Sequence, residues 1–242
     1  MAPIKLWRAL LHPVCVIFFA SICHASDMTL SDIDNSRKIM IERQLKGRNI
    51  VDPAVLKAME SVPREKFVSQ SMVTRAYNDS PLPIGEGQTI SQPYIVALMT
   101  QLLKLEKSDK VLEVGTGSGY QAAVLAEIAG YVYTIEIVKP LAEGARSLLN
   151  ELKYENIVVS QGDGYKGWME HSPFDKIIVT AAAGVVPAPL EDQLKEGGRL
   201  VMPVGGAGYQ KLLLGVKENG VMKYETVTSV RFVPMTGMVE SK

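Results

Sequence analysis

Cysteine is nearly absent from this chain. Only Cys15 and Cys23 occur in 242 residues, and both fall within the first 25. Histidine is almost as scarce, since His12 and His24 share that stretch and His171 alone lies beyond it. If the first 25 residues are cleaved away, disulfides, thiolate nucleophiles, cysteine-based zinc sites and multi-histidine metal sites are excluded by count, and no metal is expected. His171 reads as a solvated loop residue. Charge of one sign is missing too: lysine plus arginine and aspartate plus glutamate both number 26, with no basic run. That leaves no electrostatic footprint for nucleic acid, which is not expected as a partner.

A long apolar run is also lacking. The nearest approach, 9–22, is interrupted by His12 and Pro13 and is too short for a comfortable membrane span. Lys5 and Arg8 precede it, and Cys23-His24-Ala25 offers a small residue for cleavage before Ser26, so 1–25 reads as a secretory signal peptide. Ile22 is too large for a lipoprotein site at Cys23. The expected location is the periplasm, with no stable membrane association once the signal is removed. The rival is initiation at Met28, which gives a cytoplasmic protein. Loss of Lys5 and Arg8 leaves 24 basic against 26 acidic residues, a net charge of −2.

What is present is enough apolar content, 47%, for one substantial core. The densest signal is V-L-E-V-G-T-G-S-G-Y from Val111, a strand running into a tight glycine turn and a helix. Tyr131-Val132-Tyr133-Thr134-Ile135-Glu136 is a second apolar strand ending in a carboxylate, 21 residues after Gly115. That spacing suits an acid accepting hydrogen bonds from ribose hydroxyls in a βαβ unit. A dinucleotide pattern G-x-G-x-x-G would need glycine where Tyr120 stands, so NAD is disfavoured. Glu113, just before the turn, would repel phosphate and attract an ammonium, which suits the zwitterionic end of S-adenosylmethionine. An ordinary strand-helix turn with incidental acids is the bland competitor.

The remaining pattern is regular. Helices are expected over 33–45, stopped by Gly47, and over 53–59, capped by Asp52. A long irregular stretch, 77–93, carries three prolines and two glycines. Pro93 opens a helix over 94–105, placing Thr89 and Ser91 near a helix N-terminus suited to an anion. Strands over 110–114, 131–135, 156–160 and 176–180 alternate with helices over 119–128 and 140–152, which argues for a doubly wound, mostly parallel sheet. A helix ending near Lys195, a strand over 199–203 and a hairpin of 211–216 with 221–227 complete the pattern. The expected organisation is a helical lobe with a substrate loop over 26–105 and an α/β core over 106–242, forming one compact unit and a monomer.

These residues together resemble the protein-L-isoaspartate O-methyltransferase family over about 40–234. The likeness runs through V-P-R-E-K-F-V at Val62, A-Y-N-D-S-P-L-P-I-G at Ala76, G-Q-T-I-S-Q-P-Y at Gly87 and Gly162-Asp163-Gly164. It continues through F-D-K-I-I-V-T-A-A at Phe174, G-G-R-L-V-M-P-V-G at Gly197 and V-R-F-V-P at Val230. Many methyltransferases share the glycine turn, whereas the segment 76–94 is particular to this family. The resemblance implies an S-adenosylmethionine-dependent fold and methylation of isoaspartyl-containing proteins and peptides. It also implies Ser91 as the active-site serine with Thr89 beside it. Glu113, Gly115, Thr116 and Gly117 would lie at the methionine end of the cofactor, Glu136 at its ribose, and Asp163 with Gly164 at its adenine. Ile137 departs from the basic residue common in relatives and bears only on local packing. A small-molecule O-methyltransferase and a cofactor-binding protein without catalysis are the alternatives. A carboxylate is ionised at neutral pH and sulfonium is a good leaving group, so orientation rather than a general base is the catalytic task.

Overall fold

The computed structural model describes residues 29–206 and 208–238. The signal-like segment 1–25 and the alternative start at Met28 lie outside them. Among the described residues no helix is long and apolar enough to cross a membrane.

Seven strands form one sheet. They are β3 (Lys110–Val114), β4 (Tyr131–Glu136), β5 (Ile157–Gln161), β6 (Phe174–Val179), β7 (Leu194–Gly206), β8 (Tyr209–Glu218) and β9 (Val221–Val230), in the order β5-β4-β3-β6-β7-β8-β9. The first five run parallel, while β8 and β9 add an antiparallel hairpin at one edge. Strand order reverses at β3, which sits between β4 and β6, because the chain adds β4 and β5 on one side before crossing to β6 on the other. In open α/β sheets the crevice beyond the carboxyl ends of strands at such a point is where ligands bind.

The side-chain period of two divides the core between the two faces of this sheet. Val111 and Ile178 pack with the N-terminal helices and with α4 (Tyr120–Ala126), whereas Leu112, Val114, Ile177 and Val179 pack on the opposite side with Phe174, Leu190 and Met202. Each fully buried aliphatic side chain contributes roughly 1.5–3 kcal/mol. The cluster on the first face runs without a break from Met40 through Met59, Val96 and Met99 to Val124 and Leu125. Helix α5 (Lys139–Glu151) connects β4 to β5, and the short α6 (Ala188–Asp192) precedes β7.

Several local differences from the sequence expectation have physical causes. The first helix, α1 (Leu30–Ile39), is capped by Thr29 and Asp32 in a reciprocal box, and it widens into a π-helix over Met40–Leu45. It ends at left-handed Asn49 rather than at Gly47. The wider turn buries Met40, Ile41 and Leu45 together and lets Gln44 Nε2 donate to the Tyr77 carbonyl at 2.8 Å. Helix α2 (Pro53–Ser61) starts as expected, with the Asp52 carboxylate accepting from the Ala54 and Val55 amides. The stretch 77–93 is not irregular throughout. It holds an antiparallel pair, β1 (Leu82–Gly85) and β2 (Gln88–Ile90), before α3 (Pro93–Leu103). Strand β7 is longer than expected because it already pairs at Leu194 with Phe174 and resumes at Arg199 after an irregularity.

Candidate cofactor and acceptor site

The glycine turn after β3 is fixed from three sides. The Gly115 amide donates to the Ile135 carbonyl at 2.8 Å, the Gly117 amide to Glu136 Oε2 at 2.8 Å, and the Thr180 hydroxyl to the Gly115 carbonyl at 2.7 Å. Gly115 has φ +97°, and a Cβ there would lie 2.4 Å from Thr180 Oγ1, so both conformation and closeness demand glycine. Gly164 is required by closeness alone, because its Cβ would stand 2.3 Å from Val114 Cγ1.

This turn forms part of a pocket lined by Gln88, Thr89, Gly115, Gly117, Glu136 and Ile137, together with Gly164, Thr180 and the segment from Val233 to Thr236. The Glu136 carboxylate, 6% exposed, accepts from the Gly117 amide and, at 2.9 Å, from the Val138 amide. A carboxylate offers about four lone-pair positions, so two remain for a ligand. Ile137 borders this pocket and is 37% exposed, so its departure from a basic residue bears on the ligand surface as well as on packing.

Thr89 and Thr180 also line a second, larger cavity of about 700 Å³, with Arg48, Ser91, Tyr94, Arg231 and the end of β9. Thr89 lies within β2 and Ser91 directly after it, both just ahead of the N-terminus of α3, as the sequence predicts. Arg48 lies over the Tyr94 ring at 3.4 Å and pairs with Asp79 at 3.0 Å on the wall of this groove. Ser91, Thr116 and Gly117 meet again in a small recess that includes Gln121 and Thr180.

Three residues sit differently from the expectation. Glu113 does not line the pocket. It is fully buried beneath the turn, where its Oε2 accepts from the Thr134 hydroxyl at 2.6 Å, and Thr134 in turn meets the Thr116 hydroxyl at 2.6 Å. Burial, with a smaller contribution from the Glu136 charge, pushes the Glu113 carboxyl up to about 8 against the lowering effect of Thr134. So deeply buried, it presents no exposed anion to an ammonium group. Asp163 uses its carboxylate within the chain, accepting from the Tyr165 amide at 3.0 Å and the Met238 amide at 2.9 Å. Its neighbour Gly164 reaches the pocket. His171 is not simply solvated, since its ring stacks on Tyr133 at 4.2 Å and meets Trp168 edge-on.

Sequence reasoning missed Thr180, which lies in the quoted V-T-A-A run but carries no recognisable turn or charge signal. It also missed the wall supplied by Val233 to Thr236, which is the end of the V-R-F-V-P motif and the two residues after it. Among the described residues no group of three or more histidine, cysteine, aspartate or glutamate side chains is placed to hold a metal ion.

Fold and site together define a protein of the Rossmann-like methyltransferase class. Residues 35–240 match the family model for protein-L-isoaspartate(D-aspartate) O-methyltransferase, and the chain belongs to that family. It is 54% identical over 217 residues to protein-L-isoaspartate O-methyltransferase 2 of Pelobacter propionicus, covering 89% of this chain and 96% of that one. It is 57% identical over 203 residues to protein-L-isoaspartate O-methyltransferase of Opitutus terrae, covering 84% and 87%. A solved protein-L-isoaspartate O-methyltransferase superposes with a TM-score of 0.78 at 32% identity, covering 84% of this chain and 67% of that one. A putative family member from Plasmodium falciparum, solved in complex with S-adenosyl-L-homocysteine, gives 0.71 at 27% identity, covering 84% and 98%.

Proposed function

We propose that this protein transfers a methyl group from S-adenosylmethionine to the free carboxylate of L-isoaspartyl residues in damaged proteins and peptides. The observation that carries this reading is the meeting of a pocket at the glycine turn and an open groove at Thr89 and Thr180, with Ser91 in the groove wall. The pocket suits the cofactor because glycine at 115 and 164 lets the backbone of its wall pack tightly on Thr180 and Val114, and because Glu136 keeps free lone pairs. When bound, S-adenosylmethionine supplies an electrophilic methyl whose bond pair returns to sulfur as the carboxylate oxygen forms the ester.

In this reading Glu136 accepts from the ribose hydroxyls, Gly115, Thr116 and Gly117 cradle the methionine end, and Gly164 with Ile137 borders the adenine. Glu113 acts through Thr134 and Thr116, holding the turn from below. Asp163 shapes the adenine side by fixing its own loop and the Met238 amide. Ser91 and Thr89 orient the acceptor carboxylate by hydrogen bonds, aided by the amides at the start of α3. No proton need be moved, so the chain's contribution is orientation, which can reach about 7 kcal/mol or more in well-aligned cases.

The test is transfer of labelled methyl to an isoaspartyl peptide and to its normal aspartyl twin. Base-labile label on the first alone supports the assignment, and equal labelling of both refutes it in favour of a general carboxyl methyltransferase. Ser91→Ala should lower turnover more than cofactor affinity.

We also propose that the protein acts as a monomer, organised as the lobe over 26–105 on the core over 106–242, and that 1–25 directs it to the periplasm. The basic start, apolar stretch and Ala25 support export, whereas the cytoplasmic origin of S-adenosylmethionine opposes it. Cell fractionation with N-terminal sequencing decides: a periplasmic product starting near Ser26 supports export, and a cytosolic product starting at Met28 or Met1 refutes it.

A further inference from the structure

Arg64 is the largest fully buried side chain in the described molecule, with 0% exposure. A buried guanidinium ordinarily has a carboxylate partner, because desolvating an unpaired charge costs several kcal/mol. Among the described residues no carboxylate lies within ion-pair distance of Arg64. Its Nε donates to the Ala76 carbonyl at 2.7 Å and its Nη2 to the Ser91 carbonyl at 2.7 Å, while Nη1 finds no hydrogen-bond partner there. The plane lies over the Tyr120 ring at 4.7 Å.

The three groups it touches are the start of the acceptor segment, the residue at its end, and the first residue of the helix that follows the glycine turn. One cation therefore ties the acceptor wall to the cofactor turn, from behind Ser91. Ala76 is separately anchored through its neighbour Tyr77, whose hydroxyl donates to Glu65 and accepts from Arg37 Nε at 3.0 Å. The Ser91 carbonyl is held by Arg64 itself.

We propose that Arg64 is a positioning residue for methyl transfer, locking the Ser91 backbone against the glycine-turn helix and lending the buried positive charge that favours an anionic acceptor in the groove. The missing counter-ion is then explained: the negative charge arrives with the substrate carboxylate. A cation screened by little water acts over a longer range than one at the surface, so it can favour the acceptor without touching it. This inference rests on Ser91 holding the acceptor, as proposed above.

The test uses the full chain with two peptides of identical sequence, one carrying isoaspartate and one the uncharged isoasparagine, as competing ligands in the methylation assay. Arg64→Met keeps much of the bulk and removes the charge. It should lower kcat/KM for the isoaspartyl peptide at least 100-fold, leave the S-adenosylhomocysteine Kd within threefold, and abolish preference for the charged over the neutral peptide. Arg64→Lys retains the charge without the two-carbonyl fork, so it should restore that preference while kcat stays at least tenfold below wild type. Equal weakening of both peptides in Arg64→Met, with the preference intact, would overturn the electrostatic role. Wild-type kcat in Arg64→Lys would overturn the positioning role, and this variant alone decides if Arg64→Met fails to fold. An unmutated protein that does not methylate the isoaspartyl peptide would instead refute the function on which the inference rests.

Discussion

Replacement of Glu136 tests the cofactor assignment most directly. Its carboxylate already accepts from the Gly117 amide at 2.8 Å and the Val138 amide at 2.9 Å, which aims its remaining lone pairs into the pocket. Glu136→Ala removes charge-assisted hydrogen bonds to the ribose, worth roughly 1.5–3 kcal/mol. That corresponds to a Kd for S-adenosylhomocysteine raised about 10- to 150-fold. Glu136→Gln is the more searching variant. A carboxamide has one acceptor oxygen and one donor nitrogen, whereas both chain amides need acceptors. Whichever way the amide turns, either Gly117 or Val138 faces an N–H instead of an oxygen, so the variant should lose nearly as much affinity as alanine despite its matching shape. Isothermal titration measures the Kd, with circular dichroism and thermal melting confirming that each variant is folded. Unchanged affinity in folded Glu136→Ala would show that the ribose does not lie against this carboxylate.

Three further outcomes follow from the same geometry. Because Glu113 is pushed up to about 8 from its ordinary 4.5, the native state holds a proton that the unfolded chain releases, so its contribution to stability is full below about pH 4.5 and is lost as pH rises toward 8. Glu113→Gln should therefore gain in melting temperature relative to wild type across pH 4.5–8, and a flat difference over that window would show that the carboxyl is not held neutral. Gly164→Ala places a methyl 2.3 Å from Val114 Cγ1 and should destabilise by about 1–3 kcal/mol in urea denaturation while weakening cofactor binding; unaltered stability and binding would show that the loop moves aside freely. Tyr77→Phe removes the hydroxyl that joins Glu65 to Arg37 and should cost about 1–2 kcal/mol by chemical denaturation, and a variant as stable as wild type would show that this network does not hold the acceptor segment.

Much of this architecture is legible in the sequence because its signals are local. The β3 and β4 strands, the glycine turn and Glu136 are marked by apolar alternation ending in glycine or an acid. The cap at Asp52 and the prolines at 53 and 93 mark helix starts for reasons confined to one turn of chain. The β1-β2 pair carries little signal because its strands have four and three residues, the first is broken by Pro83, and they turn through Gly85, Glu86 and Gly87 at positive φ. The left-handed helix ends at Asn49 and Lys104 likewise carry no glycine to announce them. Depth is the least legible property. Glu113 is an acid at the right spacing, but only tertiary packing shows that it is buried below the pocket. Arg64 appears in the sequence as one basic residue among 26, and its lack of a carboxylate partner emerges only when segments 12 and 27 residues away close around it.

The glycine turn has a thermodynamic consequence. Glycine has the greatest backbone freedom of any residue when the chain is unfolded. Here Gly115 and Gly117 are held by Ile135, Glu136 and Thr180, all from the protein itself, so the turn takes its shape with no help from a ligand. The entropy of ordering it falls on folding and not on binding. Affinity for a small nucleoside is thereby drawn from the protein's own stability margin, and heat or denaturant should abolish cofactor binding together with the fold and not before it.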